Sequence, residues 1–304
     1  MVENSYEPPT SAEMAANQDD ETALRLLLAQ RRLYKRAKFW LNIRWAGVLV
    51  IGLAAPLVSV IVPEWAVWSG AVAGLWLFLG RTLMDFAQAN ETAKAAAVQE
   101  QFDFHVYGMP RSERGFLPSL EDVAALAGKD DQLREAATKS KLTGWYSISE
   151  TNSPLVTVAI CQRTNASYAN RLLRRTAVTW TVVSSVWLLI LITISIVADL
   201  SLLVFLVGVL LPLLPGFLDV VEFIRGIWNA ARERSDLCRL IEVRMKDRAR
   251  PLKAADVFVW QERLFALRRA TPQVPDLIYK FQRDVNEQAM HSAARQISDQ
   301  VREE

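Results

Sequence analysis

Residues 177–218 read AVTWTVVSSVWLLILITISIVADLSLLVFLVGVLLPLLPGFL, with Asp199 the one charged side chain among them. A run of about 20 apolar residues crosses the hydrocarbon core of a bilayer. Divided at Asp199, the stretch supplies two such runs, 177–198 and 200–218. Two spans back to back, with an acid at the turn, predict a transmembrane helical hairpin.

A second pair of apolar runs lies earlier in the chain. Residues 46–62 and 65–80 are apolar, and Pro63 and Glu64 separate them. Each run is about 24–26 Å long as a helix, against a core of about 30 Å. Trp40, Trp45, Trp65 and Trp68 fall where interfacial tryptophans belong, and Arg44 and Arg81 can snorkel to cover the deficit. Gly70 and Gly74 make a GxxxG pair, a spacing that lets two helix backbones approach.

Charge predicts the topology. Neither hairpin turn carries Lys or Arg, whereas the flanks carry Arg31 to Arg44, Arg81 and Lys94, Arg171, Arg174 and Arg175, and Arg225 and Arg232. The positive-inside rule then places both termini and the central segment in the cytoplasm. The chain is expected to cross its membrane four times.

The remainder is water-compatible. Charged residues make up 22% of the 304, and the net charge of +2 provides no electrostatic footprint for DNA. Two Cys and two His, in no CxxC or HxxxH spacing, predict no zinc site. Residues 1–20 are polar, acidic and proline-containing, and are expected to form a disordered tail. Residues 21–45 follow the N-cap candidates Asp19 and Asp20 as a basic amphipathic helix. Arg25, Arg31, Arg32, Lys35, Arg36, Lys38 and Arg44 oppose the single acid Glu21. That pattern suits an anionic membrane surface or packing on the protein's own cytosolic part equally well.

The central segment 81–176 reads as helical. Ser119 and Asp122 form a capping box, and Ser153-Pro154 starts the helix that feeds the third span. In the C-terminal segment 219–304, Val220, Ile224, Ile227, Ala231, Arg234, Cys238, Ile241 and Met245 step by four and three. The seam fits a coiled coil between subunits or packing within the chain. Its shortness, its polar breach at Arg234 and its weak apolar members favour the latter. The fold class expected is therefore an all-α integral membrane protein. Two transmembrane helical hairpins, 46–80 and 177–218, alternate with helical cytosolic segments.

No catalytic constellation assembles. Glu100 and Asp103 can share a helix face beside His105, but no second cluster and no phosphate-cradling glycine loop accompanies them. The expectation is no enzyme and no cofactor. A pore needs lumen-facing polar groups. Thr181, Ser184, Ser185 and Ser195 fall within about a third of the helix circumference. Such hydroxyls also bond back to their own helix. Glu64 and Asp199, at the outer tips, would make acidic rings in an oligomer or serve as solvated turn residues. Pro212 and Pro215 are hinge candidates in the fourth span. Trp145, Tyr146, Gln162, Arg163 and Asn165 offer aromatic faces and a cation for a cyclic nucleotide; otherwise they pack beneath the membrane.

Particular phrases carry a resemblance. They are Gln99-Glu100-Gln101-Phe102-Asp103, Cys161-Gln162-Arg163-Thr164-Asn165, and Val274-Pro275-Asp276 followed by Tyr279, in that order with the hairpins between. LLAQRRLYKRAK before the first span belongs with them. This set resembles the SMODS-associated four-transmembrane effector family, from about residue 21 to 290. The loop GMPRSERG departs from the Pro-Trp-Asn-like turn of that family. The resemblance implies a pore-forming effector of bacterial antiphage defence, a homo-oligomer acting on the lipid bilayer. It implies gating by a cyclic oligonucleotide made by a partner nucleotidyltransferase. A membrane-anchored helical scaffold or signal relay that never conducts is the alternative.

Overall fold

The computed structural model describes residues 6–110, 115–197, 199, 201–275, 278, 292–293 and 296–299. Regular structure among them is entirely helical. Four long rods organise the chain. Helix α2 is Glu21–Ile61. Helices α3 (Ala66–Leu79) and α4 (Asp85–Tyr107) form the second rod, joined by a π-helical turn at Gly80–Met84. Helix α7 (Pro154–Val197) is the third. The fourth comprises α8 (Leu202–Val204), a π-helical stretch Phe205–Leu210 and α9 (Leu211–Met245).

Each rod changes solvent along its length. The first half of α2 buries Ala23, Leu24, Leu27, Leu28, Leu33, Ala37 and Leu41, the three-and-four spacing of one helix face. Its second half exposes Leu49, Val50 and Leu53. Likewise α7 buries Val158, Ala159 and Ile160 but exposes Val182, Val183, Leu189 and Ile190. An apolar face on that scale is stable only against lipid or another apolar surface. The buried halves pair α2 with α4 and α7 with α9. Short helices close the body around them: α1 (Ser11–Asn17), α5 (Leu120–Ala127), α6 (Leu133–Lys139) and α10 (Ala254–Ala270).

Among the described residues, three helical stretches are long enough and hold a segment apolar enough to cross a membrane: Glu21–Ala54, Val67–Tyr107 and Pro154–Val197. The fourth expected span, 200–218, is where the fourth rod changes helix type, from α to π and back to α. Asp199 turns the chain between the third and fourth rods with φ of 49°, a left-handed conformation that Asp tolerates.

Several expectations need correction. Residues 6–20 are not a disordered tail. Thr10 and Glu13 form a capping box on α1, and Met14 is fully buried. Tyr6 donates its hydroxyl to the Tyr107 carbonyl at 2.7 Å, and Ser11 meets Thr157 Oγ1 at 2.7 Å. The basic helix and the first span are one helix, since no Pro or Gly lies between Glu21 and Ala46. That helix packs on α4, α5 and α6 rather than lying flat on a membrane. The seam of α9, by contrast, is filled within the chain as its shortness favoured: Ile227, Ala231, Arg234, Cys238 and Ile241 are all buried. The expected helical C-terminal segment lies largely outside the described residues beyond residue 275.

Two glycines matter to the packing. Gly108 ends α4 at φ 64°, and a Cβ there would meet Pro9 at 2.7 Å, so the N-terminal segment can lie across the helix end. A Cβ at Gly47 would overlap the Trp76 ring at 1.9 Å, so Gly47 sets the close approach of α2 and α3. By contrast, nothing lies within 4 Å of a Cβ at Gly70 or Gly74.

Candidate functional site

Two charged centres connect the rods. The first sits where the spans meet the body. Asp219, on α9, is 3% exposed. It accepts Arg81 Nε at 2.6 Å from the end of the second span and Arg44 Nη2 at 3.3 Å from the start of the first. Arg81 Nη2 also pairs with Asp219 Oδ1, and at 3.4 Å with Glu222; Arg44 Nη1 reaches Asp85 at 3.2 Å. Trp76 donates its indole N–H to the Arg44 carbonyl at 3.2 Å. Three spans are thus joined by one carboxylate. The remaining span, in α7, is held beside them by rings. Trp45, Trp180 and Phe223 stand 4.6–5.2 Å apart, centroid to centroid.

The second centre lies inside the body. Asp103, on α4, is fully buried. Its Oδ2 accepts Arg268 Nη1 at 2.6 Å and Gln261 Nε2 at 2.9 Å, both from α10. Its Oδ1 accepts the Tyr146 hydroxyl at 2.7 Å. Asn165, on α7, donates to that hydroxyl at 3.2 Å, and Gln162 Nε2 donates to Gln261 at 3.0 Å and to the Val257 carbonyl at 2.9 Å. Burial, aided by the Asp103 carboxylate, pushes the Tyr146 phenol well above its usual range, so it remains a donor. Burial alone would lower the Arg268 guanidinium, but the Asp103 charge beside it outweighs that and raises it. Arg268 Nε and Nη2 and Gln162 Oε1 are enclosed without partners among the described residues.

Two further pairs tie α9 into the body. Arg163 places Nε and Nη2 at 2.8 and 2.7 Å from Glu242 Oε1. Arg234, the polar breach in the α9 seam, is 4% exposed and donates to the Leu267 carbonyl at 3.0 Å. A cation there satisfies carbonyls that the last turn of α10 leaves open.

The residues singled out in the sequence fall as follows. Tyr146, Gln162 and Asn165 come together around Asp103, with Trp145 edge-on to Phe102 at 6.3 Å. Arg163 joins α7 to α9 beside them. Most of their polar atoms meet protein partners inside the body, Gln162 Oε1 and Arg163 Nη1 being exceptions. In the third span, Thr181 and Ser195 bond back to Ala177 and Leu191, each at 2.8 Å. Ser184 is half-buried and Ser185 exposed. Glu64 and Asp199 are exposed at the two hairpin tips. Pro212 occupies the first turn of α9, directly after the π-helical stretch, and Pro215 lies within the helix. Glu100 is fully buried, and His105 meets Asp20 at 2.6 Å on another face of α4. Among the described residues no group of three His, Cys, Asp or Glu is placed to hold a metal. Sequence reading missed Asp219, which meets Arg81 and Arg44 from 138 and 175 positions away, and Gln261 and Arg268, which meet Asp103 from 158 and 165. It also missed the Thr10–Glu13 capping box, although its T-x-x-E spacing was visible.

A helical body whose own helices continue as apolar spans, joined by buried ion pairs at both levels, defines an all-α integral membrane protein of two transmembrane hairpins. Residues 12–297 match the SMODS-associating 4TM effector domain, and the chain belongs to that family. This is a membrane effector domain rather than a known enzyme family. A relative from Bacillus cereus (strain VD146), named a probable CBASS effector molecule, is 23% identical over 211 residues. The match covers 66% of this chain and 68% of that protein. No solved structure matches the chain.

Proposed function

We propose that this protein is a signal-gated, pore-forming effector of a CBASS-type antiphage system. It sits in the bacterial inner membrane with both termini and the helical body in the cytoplasm. A cyclic oligonucleotide from a partner nucleotidyltransferase triggers it, and several copies assemble to open the bilayer. Family membership and the named relative support the defence role. One observation carries the gating: the spans continue into helices that the Asp103 network clamps together in the body. A displacement of α10 or of Tyr146 moves whole rods, because a helix transmits motion along its axis. The π-helical turns at Gly80–Met84 and Phe205–Leu210 give two rods a place to change register. Pro212 and Pro215, which lack N–H donors, weaken the second of these further.

In this reading Thr181, Ser184, Ser185 and Ser195 line the open path, Glu64 and Asp199 ring its outer mouth, and Pro212 and Pro215 are the hinge. Trp145, Tyr146, Gln162, Arg163 and Asn165 sense the signal, directly or through displaced partners, since most of their polar groups are occupied in the closed body. The unpartnered nitrogens of Arg268 leave donor capacity for an incoming phosphate. The test uses purified protein in dye-loaded liposomes with a panel of cyclic oligonucleotides. Leakage with one nucleotide alone is expected. Leakage without any nucleotide would move the trigger to a partner protein. A sealed bilayer throughout, with insertion verified, would overturn the pore in favour of the scaffold. Replacing Pro212 and Pro215 together by Ala is expected to weaken the dependence on the trigger; unchanged dependence would remove the hinge.

A further inference from the structure

A second cavity stands apart from both charged centres. It has a volume of about 400 Å³ and lies between α2 and α4, lined by Arg36, Phe39, Trp40, Phe86, Ala87, Asn90 and Glu91. Arg44 and Arg81 mark the ends of the first two spans. By helical rise, the lining residues lie about 6–15 Å beyond them, on the body side. Against a headgroup layer of about 5–8 Å on each side, Trp40 and Phe86 stand at headgroup depth, and Arg36 and Glu91 stand just beyond it, reaching back toward the lipid. The wall nearest the spans is aromatic, and Phe39, Phe86 and the neighbouring Leu83 are exposed. Phe39 and Trp40 stand edge to face at 5.7 Å. The far wall is polar.

The charges on that far wall are unspent. Arg36 is exposed and makes no ion pair or side-chain hydrogen bond among the described residues. Glu91 gives Oε1 to Lys94 at 3.2 Å, while its Oε2 is enclosed and has no partner. A lone enclosed carboxylate oxygen is costly unless a donor reaches it. A cation, an aromatic wall and a carboxylate with one free oxygen in a single cavity complement a zwitterion. We infer that this cavity binds one phospholipid through a phosphoethanolamine-type headgroup. Arg36 takes the phosphate. The Glu91 side chain turns its enclosed Oε2 into the cavity, where the primary ammonium donates to it and rests against the faces of Phe39, Trp40 and Phe86. The acyl chains then run along the exposed apolar faces of the first two spans. A choline headgroup satisfies the aromatic wall but has no N–H for Glu91. A phosphoglycerol headgroup has no cation for it.

The assignment is independent of whether the protein conducts, and its test reads binding alone. Protein in detergent is given equal amounts of phosphatidylethanolamine, phosphatidylcholine and phosphatidylglycerol, and native mass spectrometry counts retained lipid. The expected result is one phosphatidylethanolamine retained in about five-fold preference to either competitor. Glu91→Gln should remove the preference over phosphatidylglycerol, and Arg36→Gln should remove retention altogether. Lys35→Gln, one residue along α2 and outside the cavity, should change neither. Equal retention of all three lipids, or a preference that survives both substitutions, overturns the proposal. A preference for phosphatidylglycerol lost with Arg36→Gln overturns the zwitterion as well. Should either variant misfold, displacement of the lipid from the unsubstituted protein by glycerophosphoethanolamine, but not by glycerophosphocholine, decides the same question.

Discussion

Asp103 and Asp219 are two buried carboxylates with arginine partners, one inside the body and one where the spans meet it, yet their surroundings differ. Asp103 is enclosed by Arg268, Gln261 and Tyr146, and the Arg268 side chain is only 6% exposed. Asp219 is equally buried, but the Arg81 side chain that pairs with it is 53% exposed. Arg81 can leave without stranding its own charge, because an exposed guanidinium is already largely hydrated, and Arg44 remains 3.3 Å from the carboxylate. Nothing can replace Arg268 unless the body opens. The inner centre is therefore a clamp that holds the helices in one arrangement. The outer one is a latch that can release while the body stays folded. The lesson concerns position: the same ion pair is structural or switchable according to which partner faces solvent.

The most damaging way to break this comparison is Asp103→Asn. It leaves the Arg268 charge buried without a counter-ion, and unfolding in detergent should come about 3–5 kcal/mol sooner. Pairing Asp103→Leu with Arg268→Met should restore most of that loss, since apolar replacements remove the stranded charge. If the single and double variants are equally unstable, the clamp is not electrostatic. Asp219→Asn should cost less, about 2 kcal/mol, because Arg81 and Arg44 then turn to water. Its signature should be functional: dye release without a trigger. A sealed, trigger-dependent Asp219→Asn protein would show that the outer centre is no latch.

The two cysteines sharpen the contrast. Burial pushes the Cys238 thiol up to about 11 from its usual value near 9, and raises Cys161 as well. At pH 8 the thiolate fraction at Cys238 is then about a hundredfold below that of the unfolded chain, and alkylation should be slow. A thiol raised on folding contributes stability below pH 9 that is lost as pH climbs through 11. Alkylation should accelerate in Asp103→Asn but not in Asp219→Asn, because only the first loosens the body. Equal rates in the two variants would erase the distinction between clamp and latch. The smallest effect should come from Ser119→Ala, which removes the cap hydrogen bond to Asp122 N at 3.1 Å. About 1 kcal/mol is expected, with gating untouched.

Much of the fold was legible because its signals are local. The apolar runs, the Asp20 and Ser119 caps and the Pro154 helix start depend only on neighbouring residues, and the structure places helices accordingly. The candidate site was half legible. Tyr146, Gln162 and Asn165 were recognised as polar groups worth attention, but Asp103, which Tyr146 meets directly and the other two meet through Tyr146 and Gln261, was read with Glu100 as a pair of acids on one helix face. Local pattern cannot show that Arg268 arrives from 165 positions away to meet it.

The sequence by itself determined that this is a helical membrane protein with two hairpins. Hydropathy and turn chemistry act over one helix at a time, and each span declares its own solvent. Only the tertiary structure decided that the basic helix stands upright in the body. It alone showed that residues 6–20 join the core and that Gly47, rather than Gly70 and Gly74, permits close approach within the chain. Periodicity states which face of a helix is buried and never against what. The partner is chosen by shape and charge complementarity between helices far apart in the chain, as when Asp219 gathers Arg44 and Arg81 at the ends of two other spans.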